Sequence, residues 1–160
     1  MPLKLAVLAD THIPKRAKDL PLKAHELIKQ ADAIVHAGDV ISNEFLDALA
    51  QMKPLYAVRG NNDLTLSLPE QLEFSLEGVQ IALIHDSGTS KGRGARMKRR
   101  FPNADVVIFG HSHIPMNEVE EGLLLFNPGS STDRRMQPKH TMGMLTIHKG
   151  ALDAKIVILD

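Results

Sequence analysis

Cysteine and tryptophan are both missing from this chain of 160 residues. Without thiols there can be no disulfide, no thiol nucleophile and no zinc–thiolate site. The lack fits a reducing compartment, and a cytoplasmic location is expected. Aromatic residues make up only 4% of the chain, too few for a platform that stacks bases. Neither sign of charge prevails, since 19 Lys and Arg balance 19 Asp and Glu. Net charge therefore indicates neither a nucleic-acid nor a membrane partner. No apolar run approaches the ~18 residues that suggest a membrane span, and no charged leader precedes an apolar segment at the N-terminus, so no signal peptide is expected. What is present is 43% apolar residues, enough for one sizeable core. A single domain over residues 1–160 is expected.

The apolar runs are short and regularly punctuated. Residues 3–9 read as a buried strand, followed by a polar loop containing Pro14. Pro21 suits the first turn of a helix to about Gln30, with Leu22, His25, Leu27 and Ile28 roughly on one face. Residues 33–36 form the next strand. Ser42 is a suitable N-cap for a helix to Met52, with Phe45, Leu46, Leu49 and Met52 inward. Leu55–Val58 is a third strand, so the first part of the chain reads as a parallel βαβ arrangement. Glu77-Gly78 between two alternating runs signals a hairpin. A basic helix over about 95–100 precedes the strand 105–109. Four later strands are separated by Glu121-Gly122, a long polar loop and Lys149-Gly150. The expectation is an α/β first half and an antiparallel second half.

Polar clusters follow five of these strands: Asp10-Thr11-His12, Gly38-Asp39, Gly60-Asn61-Asn62-Asp63, His85-Asp86 and Gly110-His111-Ser112-His113. On extended backbone, side chains two apart project to the same side, so Asp10 with His12, and His111 with His113, would each offer a pair. Ligands of open α/β sheets bind at the carboxyl ends of strands. One rim could thus collect carboxylates, amides and imidazoles, a donor set suited to Mn, Fe, Zn, Ni or Co and offering no soft sulfur. Two such ions can activate a shared water and grip both oxygens of an in-line displacement at phosphorus.

Asp10-x-His12, Gly38-Asp39, Gly60-Asn61-x-Asp63, His85 and Gly110-His111-x-His113, in that order, resemble the five signature motifs of the calcineurin-like metallophosphoesterases. The small size and Asn127-Pro128-Gly129-Ser130 resemble the compact YfcE-like phosphodiesterase branch. The resemblance implies an α/β fold, a four-layer α-β-β-α sandwich of two mixed sheets flanked by helices. It implies two divalent transition-metal ions, Mn first and Ni, Zn, Fe or Co as alternatives. Asp10, His12, Asp39 and His113 would hold the first, and Asp39, Asn61, His85 and His111 the second, with Asp39 bridging. It further implies a small phosphoester substrate, more specifically a diester, a bridging hydroxide as nucleophile, and a dimer or tetramer. Nucleic acid as a partner is not indicated.

The motifs also depart from the family pattern. Many members carry His, and some Cys, after the ligand Asn, where it protonates the leaving group. This chain has Asn62, which has no proton to give, and Asp63 loses the His it would orient. Asp86 and Ser87 stand where a Gly and a further His are frequent. Acid catalysis should be weak, so the expectation is either substrates whose leaving groups need little protonation or a metal-bound water as the acid. A competing reading keeps the fold as a binding module with little or no catalysis.

Other polar residues carry less specific signals. Arg134 or Arg135 could contact a substrate phosphate. His36 reads as a packed core residue or as support for a ligand. His25, His140 and His148 read as structural. The run Lys91, Arg93, Arg96, Lys98, Arg99 and Arg100 reads as a solvated helix face or a patch that steers anions.

Overall fold

The computed structural model describes residues 2–160. Among these residues, ten strands and three helices build two mixed five-stranded sheets. The first sheet has the order β10-β9-β1-β2-β3, formed by β10 (Ala151–Ile158), β9 (Thr141–His148), β1 (Leu3–Leu8), β2 (Ala33–His36) and β3 (Leu55–Ala57). The second has the order β4-β5-β6-β8-β7, formed by β4 (Gln71–Leu76), β5 (Val79–Ile84), β6 (Val106–Ile108), β8 (Leu123–Asn127) and β7 (Met116–Glu120).

The four-layer sandwich follows from alternation along the strands. Leu5 and Val7 of β1 and Val35 of β2 face Ile81, Leu83, Ile108 and Phe126 of the other sheet, forming the central core. Ala6, Leu8 and Ile34 point the other way, onto α1 (Leu22–Gln30) and α2 (Asn43–Met52) through Ala24, Ile28, Phe45 and Leu49. On the opposite outer face, Ala82, Val107 and Leu125 pack on Met97 of α3 (Arg93–Arg100) and on Phe101. Strands buried on both faces must be apolar throughout, which is why the sequence shows continuous runs there.

Three details differ from the sequence reading. The later half is not purely antiparallel: β5, β6 and β8 run parallel, in register through Leu83, Ile108 and Phe126. The helix α3 provides the crossover from β5 to β6, and β7 lies at the edge, so β8 returns beside β6 in the same direction. Pro21 is the N-cap of α1 rather than part of its first turn, and Leu22 and Met52 face solvent instead of the core. A nine-residue helix needs only a narrow stripe, and Ala24 with Ile28 supplies it. Ser42 does cap α2, its hydroxyl accepting the Phe45 N–H at 3.2 Å.

Candidate metal centre

The carboxyl ends of β1, β2 and β3 meet those of β5, β6 and β8, and every polar cluster lies in the loops that leave them. Convergence is not reached by extended backbone, as the sequence suggested. Asp10, His12, Asp39, His111 and His113 all adopt positive φ, between 48° and 74°. Left-handed residues turn the chain sharply as it leaves each strand. Non-glycine residues in this region cost free energy and persist only where the surroundings over-determine them. Period-two alternation therefore does not account for how these side chains are placed; the left-handed turns do.

Hydrogen bonds tie the loops to one another. Asp10 N–H donates to the Gly38 carbonyl at 2.9 Å, His12 N–H to that of Asp39 at 3.1 Å, and Gly110 N–H to that of His85 at 2.9 Å. Two glycines keep the centre compact. Gly38 has φ +101°, and a Cβ there would run into the His85 ring. A Cβ on Gly60 would collide with the Asp39 carboxylate and backbone.

Six of the seven sequence-predicted ligands are directly linked. One oxygen, Asp39 Oδ2, lies 3.4 Å from His12 Nε2 and 3.5 Å from His85 Nε2. Asp10 Oδ1 is 3.8 Å from His113 Nε2 and 3.9 Å from His85 Nε2. Asn61 Oδ1 is 2.9 Å from His85 Nε2. Donor atoms of Asp10, His12 and His113 lie within 4.8 Å of one another, as do those of Asp10, Asp39 and His85. His111 stands at the rim: its ring is edge-on to His85 at 5.3 Å, and its Nε2 is 4.0 Å from Asp86 Oδ2.

The donor set fits a cation. Both Asp10 oxygens, His12 Nε2 and His113 Nε2 are buried with no hydrogen-bond partner. Four unpaired polar atoms in one place are costly unless something positive binds them. Burial pushes the Asp10 carboxyl up to about 7, with the charge of His85 opposing. Burial also lowers His12 and His113, against the nearby Asp39 and Asp133, so both rings favour the neutral form that ligates. Burial acts to raise Asp39, but hydrogen bonds and charge from His85, with donors from Asn62, hold it well below the usual carboxylate range. His85 is raised: burial opposes protonation, and the Asp39 hydrogen bond with the Asp10 and Asp39 charges outweighs it. With Asp10 and His85 raised and Asp39 held ionised, protons sit where a metal ion would otherwise balance the charge.

The surrounding residues fix ring orientation. His85 Nδ1–H donates to the Ala37 carbonyl at 2.7 Å and His113 Nδ1–H to that of Asp133, turning each Nε2 inward. His36 is fully buried. Its Nδ1 accepts the Gly38 N–H, so its Nε2–H donates to Thr11 Oγ1 at 3.0 Å. Burial brings it down to about 4, despite the charge of Asp63. Asp63 accepts four backbone N–H groups, from Asp39, Val40, Ile41 and Gly60. It holds the loop carrying Asp39 and is engaged away from Asn62. Asn62 itself turns to Asp39, donating from its backbone N–H to Oδ1 at 2.9 Å and from Nδ2 to Oδ2 at 3.0 Å.

A sixth loop, after β8, contributes support that the sequence reading tied only to a family likeness. Ser130 Oγ–H donates to the Asp10 carbonyl at 2.8 Å while accepting the Asp133 N–H, and Thr132 Oγ1–H donates to the Thr11 carbonyl. Asn127 Nδ2 donates to the Gly110 carbonyl and to Ser112 Oγ. Buried Ser and Asn next to a Pro-Gly turn were the available signal. Of the two arginines that follow, Arg134 donates to the Gln137 carbonyl, whereas the charge of Arg135 reaches Asp10, His12 and His113. His25 pairs with Asp19 at 3.1 Å and His140 with Asp160 at 2.9 Å, both away from the centre.

A model of the calcineurin-like phosphoesterase superfamily domain matches residues 3–150. The chain belongs to that superfamily. A probable metallophosphoesterase of Methanothermobacter thermautotrophicus is 35% identical over 159 residues, covering 96% of this chain and 91% of the relative. In structure the fold is similar to vacuolar protein sorting 29 of Cryptosporidium parvum, with TM-score 0.81, 20% identity, and 98% and 97% of the two chains covered. It is also similar to an archaeal phosphodiesterase, with TM-score 0.72, 20% identity, and coverage of 97% and 100%. At these identities the two structures bear on the fold alone. Among the described residues no helix is long and apolar enough to cross a membrane.

Proposed function

We propose that this protein is a metal-dependent phosphodiesterase with a dinuclear centre. Asp10, His12, Asp39 and His113 would hold one ion, and Asp39, Asn61, His85 and His111 the other, Mn being the first choice and Ni, Zn, Fe or Co compatible with the same donors. The observation that carries this reading is the set of four buried, unpartnered donor atoms on Asp10, His12 and His113, beside a single Asp39 oxygen that faces two imidazoles. Such ions, when bound, supply a nucleophilic oxygen at neutral pH and neutralise the charge of the phosphoester.

The chain's own residues supply orientation and limits. Ala37 and Asp133 carbonyls aim His85 and His113, while Asp63 and Ser130 fix the loops of Asp39 and Asp10. Arg135 places positive charge beside the buried half, suited to a phosphate oxygen. Asn62 spends its donors on Asp39 and offers no proton to a leaving group, so diesters with weakly basic leaving groups should react best. A cytoplasmic location and a homo-oligomer belong to the same reading.

The testing experiment follows nitrophenolate release from bis(4-nitrophenyl) phosphate by purified protein with Mn²⁺, and again with excess chelator. Turnover with the metal that chelation abolishes is the expected result. Binding of two Mn²⁺ with no turnover of any ester would overturn it. That outcome would favour the second reading, an interaction module, for which Asn62 and the fold shared with a sorting protein are the supporting observations.

A further inference from the structure

The exposed half of the centre opens into a cavity of about 500 Å³ whose walls include Arg59, Leu64, Arg100 and His111. Neither arginine belongs to the five signature clusters, and the two come from distant parts of the chain. Arg59 follows β3, its backbone N–H held by the Pro69 carbonyl at 2.8 Å while its side chain stays exposed. Arg100 closes α3, and its Nε–H donates to Gln71 Oε1 at 2.7 Å, which sets the guanidinium across the start of β4. Its other end is 3.7 Å from the exposed Glu70, a surface pair of little energy. Free guanidinium donors therefore remain on the cavity wall. The remaining acid of the cavity, Asp86, lies on the His111 side and accepts the Gly88 N–H at 2.9 Å. Leu64, 82% exposed, adds apolar surface to the same cavity, and the buried Ile84 backs it.

We propose that this cavity is a subsite for a second anionic group on the substrate, read by Arg59 and Arg100. The substrate class is a phosphoester whose organic portion carries a phosphate or carboxylate besides the scissile group. An apolar or aromatic linker rests on Leu64 while the outer anion meets the two guanidinium groups. Arginine suits this task because its planar fork pairs with either anion and stays charged at all working pH values. The inference rests on the phosphoesterase reading and narrows it. It also gives a role to one end of the basic run, whereas Arg93 and Arg96 are committed to the Gly88, Ser87 and Thr89 carbonyls.

The test compares 4-nitrophenyl phenyl phosphate with its analogue bearing a 4-carboxylate on the phenyl ring, both with Mn²⁺. The leaving group is the same, so the ratio of kcat/KM reports the added anion alone. The carboxylated ester should be preferred about tenfold, the scale of a charge-assisted contact. Arg59→Gln with Arg100→Gln should bring the ratio to about one, while Arg99→Gln, outside this cavity, should leave the preference in place. A ratio of one in the native protein, or an equal loss in the Arg99 variant, would overturn the subsite. If neither ester is hydrolysed, the phosphoesterase reading fails separately. The subsite is then judged by calorimetric binding of 4-carboxyphenyl phosphate against phenyl phosphate to the Mn²⁺-loaded protein. Tighter binding that depends on Arg59 supports it, and equal affinity sinks it.

Discussion

The two halves of the candidate centre are built by opposite means. Asp10, His12 and His113 are buried and fixed by the carbonyls and hydroxyls of the β1, β2 and β8 loops. Asn61 and His111 are exposed, and the His111 side chain retains 47% of its accessible surface. One half is a socket whose unpaired atoms call for a cation before any substrate arrives. The other is an open wall that can change partners. The contrast shows that burial without hydrogen bonds marks a place for a cation, while the exposed residues beside it leave that place open to solvent on one side.

The largest effect should come from removing the residue that joins the halves. Asp39→Ala should abolish binding of both ions and lower Mn²⁺-dependent turnover by about 10³-fold or more, matching several kcal/mol of lost electrostatic stabilisation; metal analysis by mass spectrometry and the ester assay check this. Survival of one bound equivalent would mean the halves are independent. On the open side, Asn62→His should supply the missing proton donor and raise rates on alkyl esters by about 10²-fold, with little change on nitrophenyl esters. An equal rise on both, or none, would break the account of Asn62.

Support for the socket is tested by Ser130→Ala, which frees the Asp10 carbonyl and the Asp133 N–H. It should weaken one Mn²⁺ by about 10–100-fold in an equilibrium titration and leave the second nearly unchanged. The halves should also separate in stability. In chelator, His113→Ala should cost about 2 kcal/mol, or roughly 4–8 °C in Tm, through the cavity it leaves. His111→Ala, at the exposed rim, should stay within about 0.5 kcal/mol in the same scans. Equal shifts would erase the contrast.

Acid provides a further probe of the socket's support. Folding holds His36 at about 4, below its ordinary value, so the unfolded chain takes up the proton first. Its contribution is present above about pH 6.5 and lost as pH falls towards about 4, up to roughly 3 kcal/mol. Urea unfolding in chelator across that window should show the native protein losing more stability than His36→Gln, the difference between the two being the His36 contribution.

Much of this was legible in the order of residues. Short continuous apolar runs such as Leu5–Leu8 and Val106–Ile108, bounded by turn residues, fit strands covered on both faces, and polar residues at their ends are drawn to one rim. The hairpin at Glu77-Gly78 and the cap at Ser42 are local chemistry, readable within a few residues. The parallel course of β8 was not readable, because pairing with β6 rather than with a sequence neighbour is a long-range choice of the sheet. Asp63 likewise read as a residue left without the His it would orient, and only its four backbone donors show where its carboxylate is used.

The sequence by itself determined which side chains could bind a metal and that they would leave strands at one end of an α/β fold. It did so because residue type and the apolar runs that mark strands are local properties. Tertiary structure alone decided which atoms lack partners, which imidazoles are held neutral, and that Arg59 and Arg100 share one wall. Those depend on desolvation and on distances between segments far apart in the chain, quantities that exist only once the sheets have packed.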